Sequence, residues 1–235
     1  MVTINKYFRR FYGNIKLYTM SKINLLLSLS VISLFIGGCN EQDEPTPPVT
    51  YPDYGRLQVG NYWIYERYVV DTLGNATPTG IFDSCYVEKD TLFNGNTFAK
   101  ITKPWSMGTS DRKAFEYLRD SLHTMIDASG RVKFSSEDFS TVFYSYTSVI
   151  PTIGDTIYTV TVKMDDKDQL ITVPAGDFIT SNYKASYEIH PPYVIVSNPR
   201  YSHKRYAKDI GLIMETLPIF SSVPTTTERR LVRYY

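Results

Sequence analysis

Apolar and polar residues alternate along most of the chain after residue 53, and almost none of it shows the 3.6-residue period of a helix. β-branched and aromatic residues are frequent there, as they are in half-buried strands. Turn signals separate the alternating segments at Gly74-Asn75 and Asn94-Gly95. The predicted strands include residues 61–70, 81–91, 122–127, 156–164 and 169–173. The pattern therefore predicts a mainly β protein with a single antiparallel β domain of roughly eleven strands, a sandwich or a half-barrel.

Several residues are expected to shape the backbone of this domain rather than to carry chemistry. They are Gly60, Asn61, Trp63, Pro174, Gly176 and Gly211. Strand alternation places Trp63 on the same side as Asn61 and Tyr65. Gly176 follows a proline-broken strand and can take a positive φ without steric cost. Gly211 is expected to let a neighbouring backbone or aromatic ring come close.

The first 38 residues have the pattern of a signal peptide. Residues 23–36 are nearly all apolar, which fits a signal-peptide core of about 7–15 residues and falls short of the about 20 needed to span a bilayer. Lys22 provides the preceding positive charge. Residues 1–38 are therefore predicted to be removed, with Met20 as an alternative start.

The end of this segment, Ile36-Gly37-Gly38-Cys39, resembles a bacterial lipobox. The resemblance implies cleavage before Cys39 and a thioether from its sulfur to diacylglycerol, with palmitate-type acylation. Two or more acyl chains hold a protein stably on a membrane. The resemblance thus implies a membrane partner through lipid on Cys39.

Residues 39–53 form an acidic, proline-rich stretch that predicts a semi-rigid tether before a β domain of residues 54–235. Glu41, Asp43 and Glu44 resemble the surface-export signal of Bacteroidota lipoproteins, interrupted here by Gln42. That resemblance implies an outer-membrane protein on the cell surface. The alternative is a solvated spacer.

Composition limits the partners of the mature chain. Without residues 1–38 it has 20 basic and 24 acidic residues, a formal charge of −4, which argues against a nucleic-acid partner. With Cys39 acylated, Cys85 has no partner for a disulfide and is expected to be a small buried residue. The basic stretch Arg200, His203, Lys204, Arg205 and Lys208 predicts one charged strand face, with anionic glycans or headgroups as the alternative reading.

Catalytic and metal-binding signatures are largely missing, and no cofactor is expected. The three histidines are His123, in a strand pattern, His190 and His203. Ser181 and Lys184 have SxxK spacing, but on a strand they face opposite sides. Asp165, Asp166 and Asp168 lack the glycine and distal glutamate of an EF-type calcium loop, so they predict a hairpin turn.

Four Asp-Ser/Thr-aliphatic triplets resemble an O-glycosylation acceptor of exported Bacteroidota proteins. The acceptors would be Thr72, Thr91, Ser121 and Thr156. All lie near predicted strand ends, where a glycan can reach solvent. The alternative is that Asp and Thr simply favour turns.

Three segments together are similar to a loose group of predicted bacterial lipoproteins and secreted β domains. They are LQVGNYWIYERY, ITVPAGDFITSNY and YAKDIGLIMETLP with the terminal ERRLVRYY. The resemblance implies no general activity, and some members of the group are discussed as half-barrels suited to holding a lipid or a partner segment. The leading hypothesis is a non-catalytic, lipid-anchored protein that binds a protein or glycan partner. The alternatives are a periplasm-facing half-barrel carrier of a lipid or other apolar ligand, and a hydrolase.

Overall fold

The computed structural model describes residues 50–105, 112–194, 198–218 and 226–235. Within these ranges no helix is long and apolar enough to cross a bilayer. The predicted signal peptide, lipobox and export signal lie outside the described residues. They include Ile36, Gly37, Gly38, Cys39, Glu41, Asp43 and Glu44.

The described ranges contain one antiparallel sheet of twelve strands. The strands are β1 Tyr62–Val70, β2 Ala76–Phe93, β3 Asn96–Pro104, β4 Lys113–Ser121, β5 Thr124–Asp127, β6 Val132–Ser135, β7 Tyr144–Val149, β8 Thr156–Val173, β9 Gly176–Ile189, β10 Arg200–Ala207, β11 Gly211–Pro218 and β12 Thr226–Tyr234. Their order is β6-β5-β4-β3-β2-β1-β12-β11-β10-β9-β8-β7. The predicted fold class is confirmed, and the sheet curls into a half-barrel rather than a sandwich.

The curl brings one edge of the sheet across the inner face of the strands near the other edge. The Tyr183 hydroxyl of β9 donates to the Val132 carbonyl of β6 at 3.2 Å. Buried apolar residues fill the inner face in two clusters, one around Trp63 and Leu231 and one around Phe134. The inner face therefore forms the core, and the outer face is left to polar and aromatic side chains.

Four of the residues expected to shape the backbone, Asn61, Trp63, Gly176 and Gly211, lie as the pattern predicts. Trp63 and Tyr65 are buried on the inner side of β1, and Asn61, just before the strand, is buried as well. Gly176 has φ +131° where β9 begins, after the turn that ends β8. A Cβ at Gly211, whose φ is +99°, would lie 3.1 Å from the Trp63 ring. Glycine is thus required there both by the backbone and by the ring.

The turn predicted at residues 165–168 is wrong. β8 continues through it as one strand, and its register against β9 slips from Asp165–Asn182 to Gln169–Thr180. Asp166 and Asp168 have φ values of +43° and +57°. Aspartate tolerates this left-handed region, so the same residues that favour a turn here form a bulge.

Two further boundaries differ from the predictions. β2 begins at Ala76, five residues before the predicted start at Ile81, because Gly74-Asn75 turns directly into it. His123 lies in the turn between β4 and β5 and not within a strand. The preceding Leu122 has φ +59°, a value that a strand does not accommodate.

Candidate functional site

Aromatic side chains form a row on the outer face of the sheet. The pairing of β1 with β2 places Tyr62 opposite Tyr86. Thr102 of β3 lies opposite Tyr86 on one side and opposite Phe115 of β4 on the other. Because neighbouring strands are about 4.8 Å apart, these three steps span roughly 15 Å. We call Tyr62, Tyr86 and Phe115 the outer aromatic row; Phe115 is 53% exposed.

Cations flank this row. Nζ of Lys113 lies 5.8 Å from the ring centre of Tyr86, and the Arg233 guanidinium lies 5.8 Å from that of Tyr62. Both cations are exposed, and neither forms an ion pair with any residue that the structure describes. Lys100 also lies 4.0 Å from the ring centre of Phe115, but it is paired with Glu88. The row therefore has two positive charges without a carboxylate partner among the described residues, which suit an anionic partner.

The inner face encloses a small cavity beneath Gly55, between β1–β5 and β10–β12. Five charged side chains line it together with apolar and aromatic ones. The charged residues are Lys103, Glu116, Lys204, Glu215 and Arg229. The space open to the centres of water molecules is about 60 Å³. That exceeds the roughly 10–15 Å³ that a cavity needs to hold one water, so there is room for a few waters.

A buried ion network supports the cavity wall, with Asp83 at its centre. Asp83 accepts hydrogen bonds from Nε and Nη2 of Arg67 at 2.7 and 2.6 Å, and from Nε of Arg229 at 2.6 Å. Arg229 also donates to Glu215 at 3.1 Å, and Glu215 pairs with Lys204 at 3.5 Å. Asp83 is 2% exposed. Such a network is stable only while every charge keeps its partner.

The carboxylates that line the cavity stay ionised. Burial alone would raise the pKa of Glu116, but the ammonium groups of Lys204 and Lys103 outweigh it and hold that pKa well below its ordinary value. The pKa of Glu215 is likewise lowered, because Lys204 and Lys103 overcome the effect of burial. Burial works against the charge of Lys204, yet Glu116 and Glu215 raise its pKa well above the ordinary value. All three groups are therefore charged at neutral pH.

The other polar groups of the wall stay neutral. Burial raises the pKa of the Cys85 thiol to about 12 and also raises the pKa values of Tyr65 and Tyr206. The Tyr65 hydroxyl donates to the Leu212 carbonyl at 2.7 Å. Cys85 is buried, as predicted. These groups do not add negative charge to the cavity.

The cavity does not have the size that the carrier hypothesis predicts. A pocket for an acyl chain or similar ligand has about 300–1,000 Å³ and an apolar lining. The inner cavity is several times smaller and has five charged groups in its wall. An open groove of about 390 Å³ lies near His190, but polar side chains such as Thr156 and Thr159 line it.

The histidines do not assemble the hydroxyl–histidine–acid arrangement of a hydrolase. Such a relay needs the hydroxyl and the carboxylate on opposite ring nitrogens. At His123, both Ser136 and Glu137 approach the same atom, Nδ1, at 3.4 and 3.0 Å. At His190, Nε2 pairs with the Thr159 hydroxyl at 2.9 Å, and no carboxylate among the described residues contacts the ring.

The basic stretch predicted as one charged face is divided between the two faces, which corrects that prediction. Arg200 is buried and Lys204 lines the inner cavity, whereas His203 and Arg205 alternate with them and face outward. Lys208 is exposed in the turn after β10. The physical reason is strand alternation, which separates neighbouring residues however alike their charges are.

The four predicted glycan acceptors differ in access. Thr72 is exposed in the turn between β1 and β2. Ser121 and Thr156 are half-buried at strand ends. The Thr91 hydroxyl oxygen is buried and has no hydrogen-bond partner among the described residues. Thr72 is therefore the most accessible of the four hydroxyls.

Of the inner charged residues, the sequence singled out only Arg200 and Lys204, and it assigned them to a solvated face. The available signal was alternation: Arg67 lies on the same side of its strand as Trp63 and Tyr65, and Asp83 on the same side as Cys85. Charge on a β-strand ordinarily predicts a solvent face, so alternation alone did not reveal an ion network.

Comparison with known proteins adds two similar structures. No protein-family model matches the chain, and no curated protein matches it. The crystal structure of a predicted lipoprotein from Parabacteroides distasonis matches with a TM-score of 0.48 at 13% identity. The match covers 80% of this chain and 100% of that protein's chain. A predicted exported protein with a YmcC-like fold from Bacteroides fragilis has a TM-score of 0.41 at 13% identity and covers 79% of this chain and 98% of its own. Likeness at this level carries no argument about function, which depends on the chain's own residues.

Proposed function

We propose that this chain is an outer-membrane lipoprotein, anchored through lipid on Cys39 and exposed at the cell surface, whose β domain binds an acidic glycan without catalysis. The lipobox and the acids at Glu41, Asp43 and Glu44 support the anchor and the location. The outer aromatic row supports the binding role.

The row favours a glycan over a protein partner because of its shape and charge. It is a narrow strip, roughly 15 Å long, whereas stable protein interfaces bury about 800 Å² on each partner. Lys113 and Arg233 beside it have no carboxylate partners among the described residues. A polymer that carries carboxylate or phosphate groups would contact the rings and neutralise both cations.

The anchor is tested by replacing the lipidated sulfur. Cys39→Ala should abolish incorporation of labelled palmitate and release the protein from membranes. Cys85→Ala is the matched control and should keep both. Membrane association and labelling that persist in Cys39→Ala would exclude the lipid anchor.

Protease shaving of intact cells tests the surface location, which is wrong if the domain is protected while a known surface protein is cleaved.

The glycan proposal is tested by affinity electrophoresis on polygalacturonate and phosphomannan, with dextran as the neutral polymer. At least one acidic polymer should retard the protein, and salt should weaken the effect. Phe115→Ser and Lys113→Gln should each reduce the affinity by about tenfold or more. Phe82→Ser is the matched control because Phe82 is 57% exposed outside the row. The glycan proposal is refuted if neither acidic polymer retards the protein, or if the variants bind like the wild type. Specific binding of a purified envelope protein would replace it with a protein partner.

O-glycosylation is proposed as a modification of the same exported chain. Because its hydroxyl is the most accessible, Thr72 should be the most completely occupied site, and Thr91 the least. Intact-mass and peptide mass spectrometry of the mature protein measure this order. Unmodified Thr72, Ser121 and Thr156 would show that the Asp-Ser/Thr pattern reflects turn preference.

A further inference from the structure

The inner cavity carries an excess of positive charge. Its lining holds three cations, Lys103, Lys204 and Arg229, against two carboxylates, Glu116 and Glu215. Behind the wall, Arg67 and Asp83 cancel each other and leave this balance unchanged. Beyond Gly55, Asp53 and Asp120 lie outside the lining. A buried excess charge is costly unless it meets a counter-charge.

Lys204 is the cation with the most unused hydrogen-bonding capacity. Its ammonium group has three donors. Among the described residues it contacts one carboxylate, Glu215, at 3.5 Å, which is too long for a strong charge-assisted bond. Lys103, by contrast, approaches Glu116 at 2.6 Å. Donors of Lys204 therefore remain for another acceptor.

Two neutral donors in the wall are already satisfied, whereas the Tyr206 hydroxyl, which also lines the cavity, forms no hydrogen bond with a described residue. The Trp63 indole donates to the Ile210 carbonyl at 2.7 Å, and the Tyr65 hydroxyl to the Leu212 carbonyl. An occupant of the cavity would thus be recognised chiefly by charge, with the Tyr206 hydroxyl as one further donor. It would also meet the apolar side chains of Leu118 and Met125, which line the same cavity.

We propose that the cavity binds a small monocarboxylate anion with a short alkyl tail. Its carboxylate accepts hydrogen bonds from Lys204 and supplies the missing negative charge. Its tail lies against Leu118 and Met125. Room for only a few waters limits the occupant to a small anion, such as acetate or propionate.

The test is calorimetric titration of the purified full chain in detergent with propionate at constant ionic strength. Phosphate is the inorganic anion for comparison, propylammonium the cation of similar size, and octanoate the longer carboxylate. Propionate should bind saturably, and the other three should bind much more weakly. Lys204→Met should weaken propionate binding by about tenfold or more. Lys184→Met is the matched control because Lys184 pairs with Asp165 on the outer face.

A second measurement uses the wild type alone, in case Lys204→Met does not fold. The methyl NMR signal of Met125, assigned through Met125→Leu, should shift on addition of propionate. The signal of Met214, outside the lining, should not. An unshifted Met125 signal, non-saturable binding, equal binding of phosphate or propylammonium, or a folded Lys204→Met that binds like the wild type would each overturn the proposal. None of these outcomes depends on the outer aromatic row.

Discussion

Asp83→Asn tests the ion network behind the cavity. The substitution keeps the shape of the side chain but removes its charge, and it turns an amide donor toward guanidinium donors. Three hydrogen bonds of 2.6–2.7 Å from Arg67 and Arg229 are weakened or lost. Both arginines are 5% exposed, so bulk solvent does not replace the carboxylate. Removal of one partner from a buried ion pair costs about 3–5 kcal/mol, a large part of the about 5–15 kcal/mol that stabilises a domain.

Urea unfolding followed by far-UV circular dichroism measures this cost. The midpoint should fall while the slope m is unchanged, because the surface exposed on unfolding is the same. Asp165→Asn is the matched control: Asp165 pairs with Lys184 at 2.8 Å on the outer face with 30% of its side chain exposed. Asp165→Asn should lower the free energy of unfolding by about 1 kcal/mol or less. The reasoning is refuted if Asp83→Asn, with an unchanged m, costs no more than Asp165→Asn.

Three further predictions use the same domain. Gly211→Ala should lower the free energy of unfolding by about 2 kcal/mol or more, through backbone strain and contact with Trp63. Gly95→Ala is the control, because Gly95 has a positive φ but open space around it, and it should lower the free energy of unfolding by less. Equal losses in urea titrations would show that the Trp63 ring does not contribute. Asp120 is exposed as a residue, but loss of solvent around its carboxyl beside Gly55 and the negative charge of Asp53 raise its pKa to about 6. The folded state then binds more protons than the unfolded state between about pH 4 and 6, so stability falls as pH rises through that window. Asp120→Asn should abolish this contribution in melting curves recorded against pH, and an unchanged pH profile would contradict it. Because its pKa is raised to about 12, Cys85 should react with iodoacetamide far more slowly in the native protein than in urea by mass spectrometry, and equal rates would show an accessible thiol.

The elements that follow from local chemistry were predictable from the sequence. The turn at Asn94-Gly95 forms with both residues at positive φ, and β1 buries its predicted side. The bulge at residues 166–168 was not predictable from the sequence, because aspartate at positive φ is found equally in turns and in bulges. Which one forms depends on whether β9 continues to pair beyond it, as it does up to Val173–Gly176. That pairing partner cannot be identified from the run of acids itself.

The inner charges were hidden for a different reason. Lys204 belongs to a run of basic residues that, taken together, predicts a solvated face, and Arg229 adjoins Arg230 in the same way. In a curled sheet every second residue of such a run must face inward, so β10 and β12 each direct a cation at the core. The acids that meet them, Asp83 and Glu215, come from strands β2 and β11, and Asp83 is 146 residues distant from Arg229. Charge complementarity between distant strands is set by the curl and the register, so the cavity could be recognised only once both were known.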